Sequence, residues 1–392
     1  MNSTPTRDFL PHRAWAEISI NRLIHNYEQV QGLVGDSKVA CVVKGNSYGH
    51  GAVQCAQALA ANGATFFITN TGEEALQLRR HGITHPILTL SMPSPALIPT
   101  LAAQDIAVSI GNREMASLYA SVLDTKPLKI HVKVETGLNR TGFAAEHAIQ
   151  DIVDLSIQPC FTLEGVYSHF AVAEDEAQFD FTKHQLEDFV QVLEGVLAQN
   201  IDIPYRHIAN SASIMAYRNS YDHPLFNMVR PGMLLCGVNP SARTPIDILP
   251  ILSLHSQITQ IKTVLPGETV SYGRLYSPTR PTQIATISIG YADGLRRNLS
   301  QKISVLLHGQ RAPQVGRIAM DVCMIDVTDI PSAAVGDKVT LLGQNGSAEI
   351  HINQLSATAE TIPNEFLSGI NMRVPRVFLR DGIVSETVSY LP

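Results

Sequence analysis

Lys44 stands directly after an apolar, β-branched run, Val39-Ala40-Cys41-Val42-Val43. A lysine emerging from such a strand is partly desolvated, which lowers the pKa of its amine and frees it as a nucleophile or base. Schiff-base chemistry follows from that placement, and an aldolase lysine would fit it equally well. Gly45, Gly49 and Gly51 come next, glycines that let the backbone approach a ligand closely. They do not make a dinucleotide fingerprint, because G-x-G-x-x-G counted from Gly49 and Gly51 ends on Gln54.

Other chemistry-bearing side chains share this position at the end of a strand-like run. Lys133 and Arg140 flank the end of 128–134, and His169 follows 163–168. His207, Asn210 and Ser211 belong to or follow 205–209, and Arg230 with Gly232 follows Val229. In a β/α barrel the chemistry occupies the C-terminal ends of the strands. So many polar groups at the same end of successive strands read as one site at the barrel mouth.

The elements that must position them have two textures. Between about 38 and 239, short β-rich runs (39–43, 65–69, 86–90, 106–110, 128–134, 163–168, 205–209, then Val229 with 233–235) alternate with helical patterns, several of which end at a glycine such as Gly63 or Gly82. About eight strand-then-helix units in some 200 residues predict an α/β fold, a TIM-like (β/α)8 barrel, over 16–245. The pattern 179–199 has one apolar stripe (Leu186, Phe189, Val190, Leu193, Leu197) and reads as a helix packed on the barrel. After about 241, strands follow one another (257–265, 283–289, 302–307, 323–327, 338–342), separated by the turn signals Pro266-Gly267, Gly336-Asp337 and Asn345-Gly346. The expectation is a mainly β C-terminal domain over 246–392 and an N-terminal extension over 1–15.

Composition narrows the functional classes. The 392 residues, 45% hydrophobic and 16% charged, make a globular chain with room for two domains. A net charge of −6 speaks against nucleic-acid binding, which normally needs a basic patch. No apolar run approaches the roughly 20 residues of a membrane span, and the polar start Met1-Asn2-Ser3-Thr4-Pro5-Thr6-Arg7-Asp8 lacks a signal-peptide core. The five cysteines (Cys41, Cys55, Cys160, Cys236, Cys323) are scattered, with no C-x-x-C pair. They read as buried thiols in a reducing cytoplasm, with no metal site.

Longer segments carry a resemblance. VVKGNSYGHG (42–51), HVKVETGLNRTG (131–142), YSHFA (167–171), HIANSAS (207–213), VRPGMLLCG (229–237), VSYG (270–273), GYADG (290–294), GRIAMD (316–321) and RVPRVF (373–378) occur in this order. Together they closely resemble the alanine racemases, pyridoxal-phosphate (PLP) enzymes with a barrel and a β domain, over nearly the whole chain. The resemblance implies that Lys44 carries PLP and moves the α-proton on one face, with Tyr272 as acid/base on the other. It implies that His169 supports Tyr272 by a hydrogen bond and that Arg230 meets the pyridine nitrogen. Tyr48, Ser211, Asn210 and the backbone near Gly232 and Met233 would hold the phosphate. Arg140 and the Met320 amide would take the substrate carboxylate. Lys133 matches a lysine that many members carbamylate, a simply hydrogen-bonded lysine being the alternative. Arg317, Tyr291 and Asp321 match residues around the substrate entryway. Because Tyr272, Tyr291, Met320 and Asp321 match residues that reach the partner's site, the resemblance implies a head-to-tail homodimer acting on a small amino acid.

Departures from the family pattern bear on specificity. The tyrosine usual before Arg-Val-Pro-Arg is Met372 here, the alanine usual after the lysine is Gly45, and the usual second alanine is Ser47. Methionine cannot donate that tyrosine's hydrogen bond and is flexible, so serine is expected to enter beside alanine. Two rivals remain at this stage. One is a PLP amino-acid decarboxylase of the same architecture, disfavoured because Arg230 replaces an acidic pyridine partner. The other is a non-enzymatic PLP carrier, for which a β domain and the VSYG tyrosine are superfluous.

Overall fold

The computed structural model describes residues 12–241 and 243–391. The polar start 1–8 and most of the expected extension 1–15 lie outside them. The chain divides into two compact units, one of residues 23–249 and one combining the segment up to Arg22 with that from Pro250 onward.

The first unit is a parallel sheet of short strands whose neighbours follow chain order: Lys38–Val42, Phe66–Thr69, Ile87–Thr89, Ile106–Ile110, Leu128–Glu135, Phe161–Tyr167 and Tyr205–His207, with Met228–Val229 returning beside Lys38–Val42. Backbone bonds from Asn227 N–H to Arg206 O (3.1 Å) and from Arg230 N–H to Ala209 O (3.0 Å) join the last strand to Tyr205–His207. The eight strands therefore make the expected barrel. Strands such as Phe66–Thr69 and Ile106–Ile110 are buried throughout, which is why they read as unbroken apolar runs. Helices cover the barrel. Phe179–Leu197 buries Leu186, Phe189 and Leu193 of the expected stripe together with Val192 and Val196, while Val190 and Leu197 are only half-buried at its margin. Residues 233–235, read as part of a strand, form a turn instead. Gly232 and the bond from Val238 N–H to Met233 O commit them to a loop.

The second unit is a mainly β sheet around the long strand Leu252–Val264, which pairs antiparallel with Ala14–Ser19, Thr282–Ile287 and Lys338–Asn345. Residues 16–19, expected in the barrel domain, lie in this sheet: Ala14–Ser19 also pairs in parallel with Arg376–Arg380. Its residues are buried from Ala14 to Ala16 and then alternate between half-buried and buried, Glu17 and Ser19 against Ile18. Among the described residues no helix is long and apolar enough to cross a membrane.

In this unit Gly294 has φ +106°, and a Cβ there would lie 2.4 Å from Gly369 O. Gly82 in the barrel unit has φ +88° with open space around it. Gly294→Ala is expected to cost about 2 kcal/mol or more, and Gly82→Ala only about 1 kcal/mol, since both bear the left-handed penalty but one adds a backbone clash. Urea unfolding of the two variants checks this, and equal losses would contradict it.

Candidate active site

The strand Lys38–Val42 delivers Lys44 into a strained turn. Residues 45–49 all have positive φ (Gly45 62°, Asn46 55°, Ser47 52°, Tyr48 52°, Gly49 86°). Each non-glycine residue held there costs about 1–2 kcal/mol, so a specific bond set must hold the turn. Ser47 N–H donates to Val43 O (2.8 Å), Gly49 N–H to Gly45 O (2.9 Å) and Gly51 N–H to Asn46 O (2.9 Å). Gly45 N–H donates to Glu74 Oε1 (2.6 Å), while Glu74 Oε2 accepts from Asn70 N–H (2.8 Å) and Thr71 N–H (3.2 Å). Glu74 therefore joins the lysine turn to the loop after the next strand. The glycines do more than admit a ligand, because Gly45 opens a left-handed turn that its backbone tolerates at little cost.

A cavity of about 250 Å³ opens at the C-terminal ends of the barrel strands. It brings together Lys44, Lys133, Arg140, His169 and Arg230, five of the residues singled out from sequence, and adds Asn70, Ser91, Thr141 and Tyr167. Among the described residues that line it, four side chains are basic and none is a carboxylate, a charge pattern that favours anions. Burial, then the charges of Arg140 and Arg230, hold the Lys44 amine below its ordinary pKa, with Glu74 opposing. The same order of causes, burial first and Arg140 next, lowers Lys133 to about 8. The Lys133 ammonium donates to Thr141 Oγ1 (2.7 Å).

Arg230 is buried, and burial lowers its pKa to about 10, so it stays protonated at neutral pH. Its Nη2 donates to Ser168 O (2.9 Å), Ile208 O (3.0 Å) and His169 Nδ1 (3.0 Å), and its Nη1 to His207 Nδ1 (2.7 Å). A guanidinium only donates, so Nδ1 of His169 must accept and its proton sits on Nε2. Burial and then the Arg230 charge push His169 well below its ordinary value, keeping the ring neutral.

Tyr48, Ser211 and Gly232 form a second cluster. A Cβ on Gly232 would meet the Tyr48 hydroxyl at 2.4 Å, so glycine is what lets the phenol sit against this loop. Ser211 Oγ accepts from Gly232 N–H (2.9 Å) and Leu234 N–H (3.4 Å), leaving its own proton to donate. Burial raises the Tyr48 pKa, so its hydroxyl also remains a donor. Asn210 caps the helix Ser211–Ala216 by accepting from Ser213 N–H, its amide 3.5 Å from His169 Nε2, and Met233 is buried beside Gly232.

The remaining predicted residues lie in the β unit. Tyr272 occupies a tight turn between Ser271 (φ 65°) and Gly273 (φ 76°) and is 71% exposed. Ser271 Oγ donates to Arg317 O (2.7 Å), and Tyr291 N–H donates to Ala319 O (3.0 Å), drawing the loops of Tyr272, Arg317, Tyr291 and Met320 together. Asp321 accepts from Arg373 Nη2 (2.7 Å), beside the exposed Met372.

Sequence reasoning missed Glu74, Thr141 and Tyr167. The pattern Thr71-x-x-Glu74 was a readable capping box, but its bond to Gly45 depends on two strands lying side by side.

Comparison with known proteins decides the lineage. Residues 18–240 match the alanine racemase N-terminal domain model and 251–378 the alanine racemase C-terminal domain model. The chain belongs to the alanine racemase family. It is 36% identical to an alanine racemase of Clostridium novyi, over 96% of this chain and 98% of that one. Among solved structures it is similar to the alanine racemase of Bacillus anthracis with bound L-Ala-P (TM-score 0.90, 34% identity, 97% and 99% of the two chains). It is also similar to an alanine racemase of Clostridium difficile in complex with cycloserine (TM-score 0.88, 30% identity, 98% and 100%). The family and fold expected from the motifs are thus borne out.

Lys133 supplies a stability test with a defined sign. Its folded pKa of about 8 lies below the unfolded value of about 10.4, so the folded state is penalised below pH 8 and the penalty fades as pH rises toward 10.4. In bicarbonate-free buffer Lys133→Met should be more stable than wild type at pH 7, with the gap closing by about pH 10.4. Urea midpoints across that range read it out, and a pH-independent gap would refute it.

Proposed function

We propose that this protein is an amino-acid racemase interconverting L- and D-alanine with pyridoxal 5′-phosphate as cofactor. The observation that carries the reading is the cationic cavity at the barrel mouth, with Lys44, Arg140, His169 and Arg230 around it, in a member of the alanine racemase family. The residues fit the cofactor. Tyr48 and Ser211 are neutral donors beside the Gly232 cradle, suited to a phosphate dianion, with Asn210 and Met233 flanking them. Lys44 would hold the cofactor covalently, and Arg230 would meet its ring nitrogen.

When bound, pyridoxal phosphate supplies the electron sink that makes an amino-acid α-proton removable. Arg230 keeps its own proton at neutral pH, so it cannot protonate a ring nitrogen and leaves that sink weak. This disfavours transamination and the decarboxylase alternative, both better served by an acidic partner. Arg140 binds the substrate carboxylate, with the Met320 backbone assisting. Lys44, below its ordinary pKa, takes or returns the α-proton on one face. Racemisation needs a second group on the other face, and Tyr272 is that group. The Nε2–H of His169 is the donor that stabilises the Tyr272 oxygen.

The exposure of Tyr272 (71%), Met320 (51%) and Tyr291 (41%) supports a homodimer in which these residues, with Asp321 and Arg317, complete the site of a second copy. Carbamylation of Lys133 is supported by an amine with a pKa of about 8 beside Arg140, for which an N-carboxylate would be a partner. Four buried cysteines, unpaired among the described residues, support a cytoplasmic setting. Met372, 58% exposed, and Gly45 support a pocket that admits serine.

Three measurements test this reading. Wild type should racemise L-alanine, while Tyr272→Phe and Lys44→Ala each lose about 10²-fold or more; racemisation of α-deuterated L-alanine at the wild-type rate in Tyr272→Phe would sink the two-base assignment. Mixing those two inactive variants should restore roughly a quarter of wild-type activity if sites are composite, and none if each copy works alone. A kcat/KM preference for alanine over serine above about 10³-fold would refute the relaxed pocket.

A further inference from the structure

Behind Arg230 lies a second buried imidazole that the proposed chemistry does not use. His207 accepts from Arg230 at Nδ1 (2.7 Å), so its proton must sit on Nε2. That Nε2 is 3.0 Å from His131 Nδ1. The donor is therefore His207 and the acceptor His131, whose own proton is then on Nε2. The polarity runs one way, from guanidinium to His207 to His131, because the guanidinium offers no acceptor to reverse it.

The barrel is deformed to admit this last ring. His131 is fully buried in the strand Leu128–Glu135. The register with Phe161–Tyr167 runs Ile130↔Leu163 and then His131↔Gly165, which leaves Glu164 as an extra residue in a bulge. Glu164 pairs with Lys129 (3.0 Å), and a glycine comes opposite the imidazole. A Cβ on Gly165 would stand 2.4 Å from His131 Nδ1 and 2.6 Å from Cε1. The Tyr205 ring stacks on His131 at 5.8 Å. At the far end His131 Nε2 finds no hydrogen-bond partner among the described residues, a defect that costs about 1–3 kcal/mol. A mid-strand glycine, a bulge and an unpaired buried N–H are all unfavourable for a barrel strand. Filling the slot with an apolar side chain would remove the last of them.

We infer that His131 is a positioning residue for Arg230: by accepting from His207 it fixes that ring, and His207 in turn fixes Nη1 of the guanidinium. Two of the five guanidinium N–H groups sit on Nη2, already engaged by Ser168, Ile208 and His169, and one on Nη1 goes to His207. The Nε–H and the other Nη1–H remain to donate, on a residue that lines the cavity. Burial and then the Arg230 charge hold His131 down at about 3, so the ring stays neutral and the relay keeps its polarity at neutral pH.

The test compares wild type with His131→Leu, which removes the acceptor, and His131→Asn, whose Oδ1 stands where Nδ1 was. Neutron diffraction of the holoenzyme should place the His207 proton on Nε2 and leave Nδ1 bare. Its X-ray counterpart should show the Arg230 guanidinium displaced in His131→Leu and restored in His131→Asn. The kinetic arm rests on the racemase reading: kcat should fall at least ~10-fold in His131→Leu with KM changed less than ~3-fold, and recover to within ~3-fold in His131→Asn. A proton on His207 Nδ1, an undisplaced guanidinium with wild-type kcat in His131→Leu, or a His131→Asn variant no better than leucine would each overturn the inference. A wild-type protein that fails to racemise would instead overturn the racemase reading, leaving the relay to be judged from the neutron map and the guanidinium positions.

Discussion

The buried charge of Arg230 is the constraint around which the barrel unit is arranged. A guanidinium taken out of water must have its N–H groups met, or the fold loses several kcal/mol. The carbonyls of Ser168 and Ile208 and the Nδ1 atoms of His169 and His207 meet those on Nη2 and one on Nη1. The same residue's backbone N–H bonds Ala209 O at the seam where the last strand joins the sheet. Closing the barrel and seating the charge are therefore one event. A permanent cation there forces neighbouring imidazoles to remain neutral and to accept at Nδ1, which fixes the side on which each can donate. The anion-favouring character of the cavity follows, since Lys44, Lys133 and Arg140 add to the same field and, among the described residues, no carboxylate lines the cavity.

Against that fixed charge, the lysine turn is where conformational strain is stored. The consecutive positive φ values of 45–49 persist because backbone bonds within the turn and the Glu74 carboxylate leave no alternative. Glu74 caps one helix and binds the turn before another, so the rigidity of Lys44 derives from two strand–helix units. Strain of this kind restricts both Lys44, which immediately precedes the left-handed stretch, and Tyr48, which lies within it.

The β unit works by a different device. The residues proposed for the site sit on tight loops held to one another by hydrogen bonds, and Tyr272, Tyr291, Met320 and Asp321 stay exposed. Arg376, fully buried, donates to the carbonyls of Ile370, Asn371 and Val374, which gathers the loop that carries Met372. A rigid loop base with an exposed tip is what the proposed composite site of a dimer would need.

Sequence alone determined the alternation of buried strands and helices, the change to β texture after about 241, and the lysine at a strand end, because these depend on local periodicity and on which residue types desolvate. The motifs carried the family in the same way. It did not show that 14–19 belongs to the β sheet, since strand pairing is a long-range choice among several apolar runs, nor that 233–235 turns, since three apolar residues do not distinguish strand from loop. Glu74 was visible as a cap, but its hold on Gly45 required two neighbouring strands. His131 was legible only as an inward residue of a strand. Its place at the end of a chain of hydrogen bonds was decided by a bulge at Glu164 and the missing side chain of Gly165, a register that exists only once the barrel has closed.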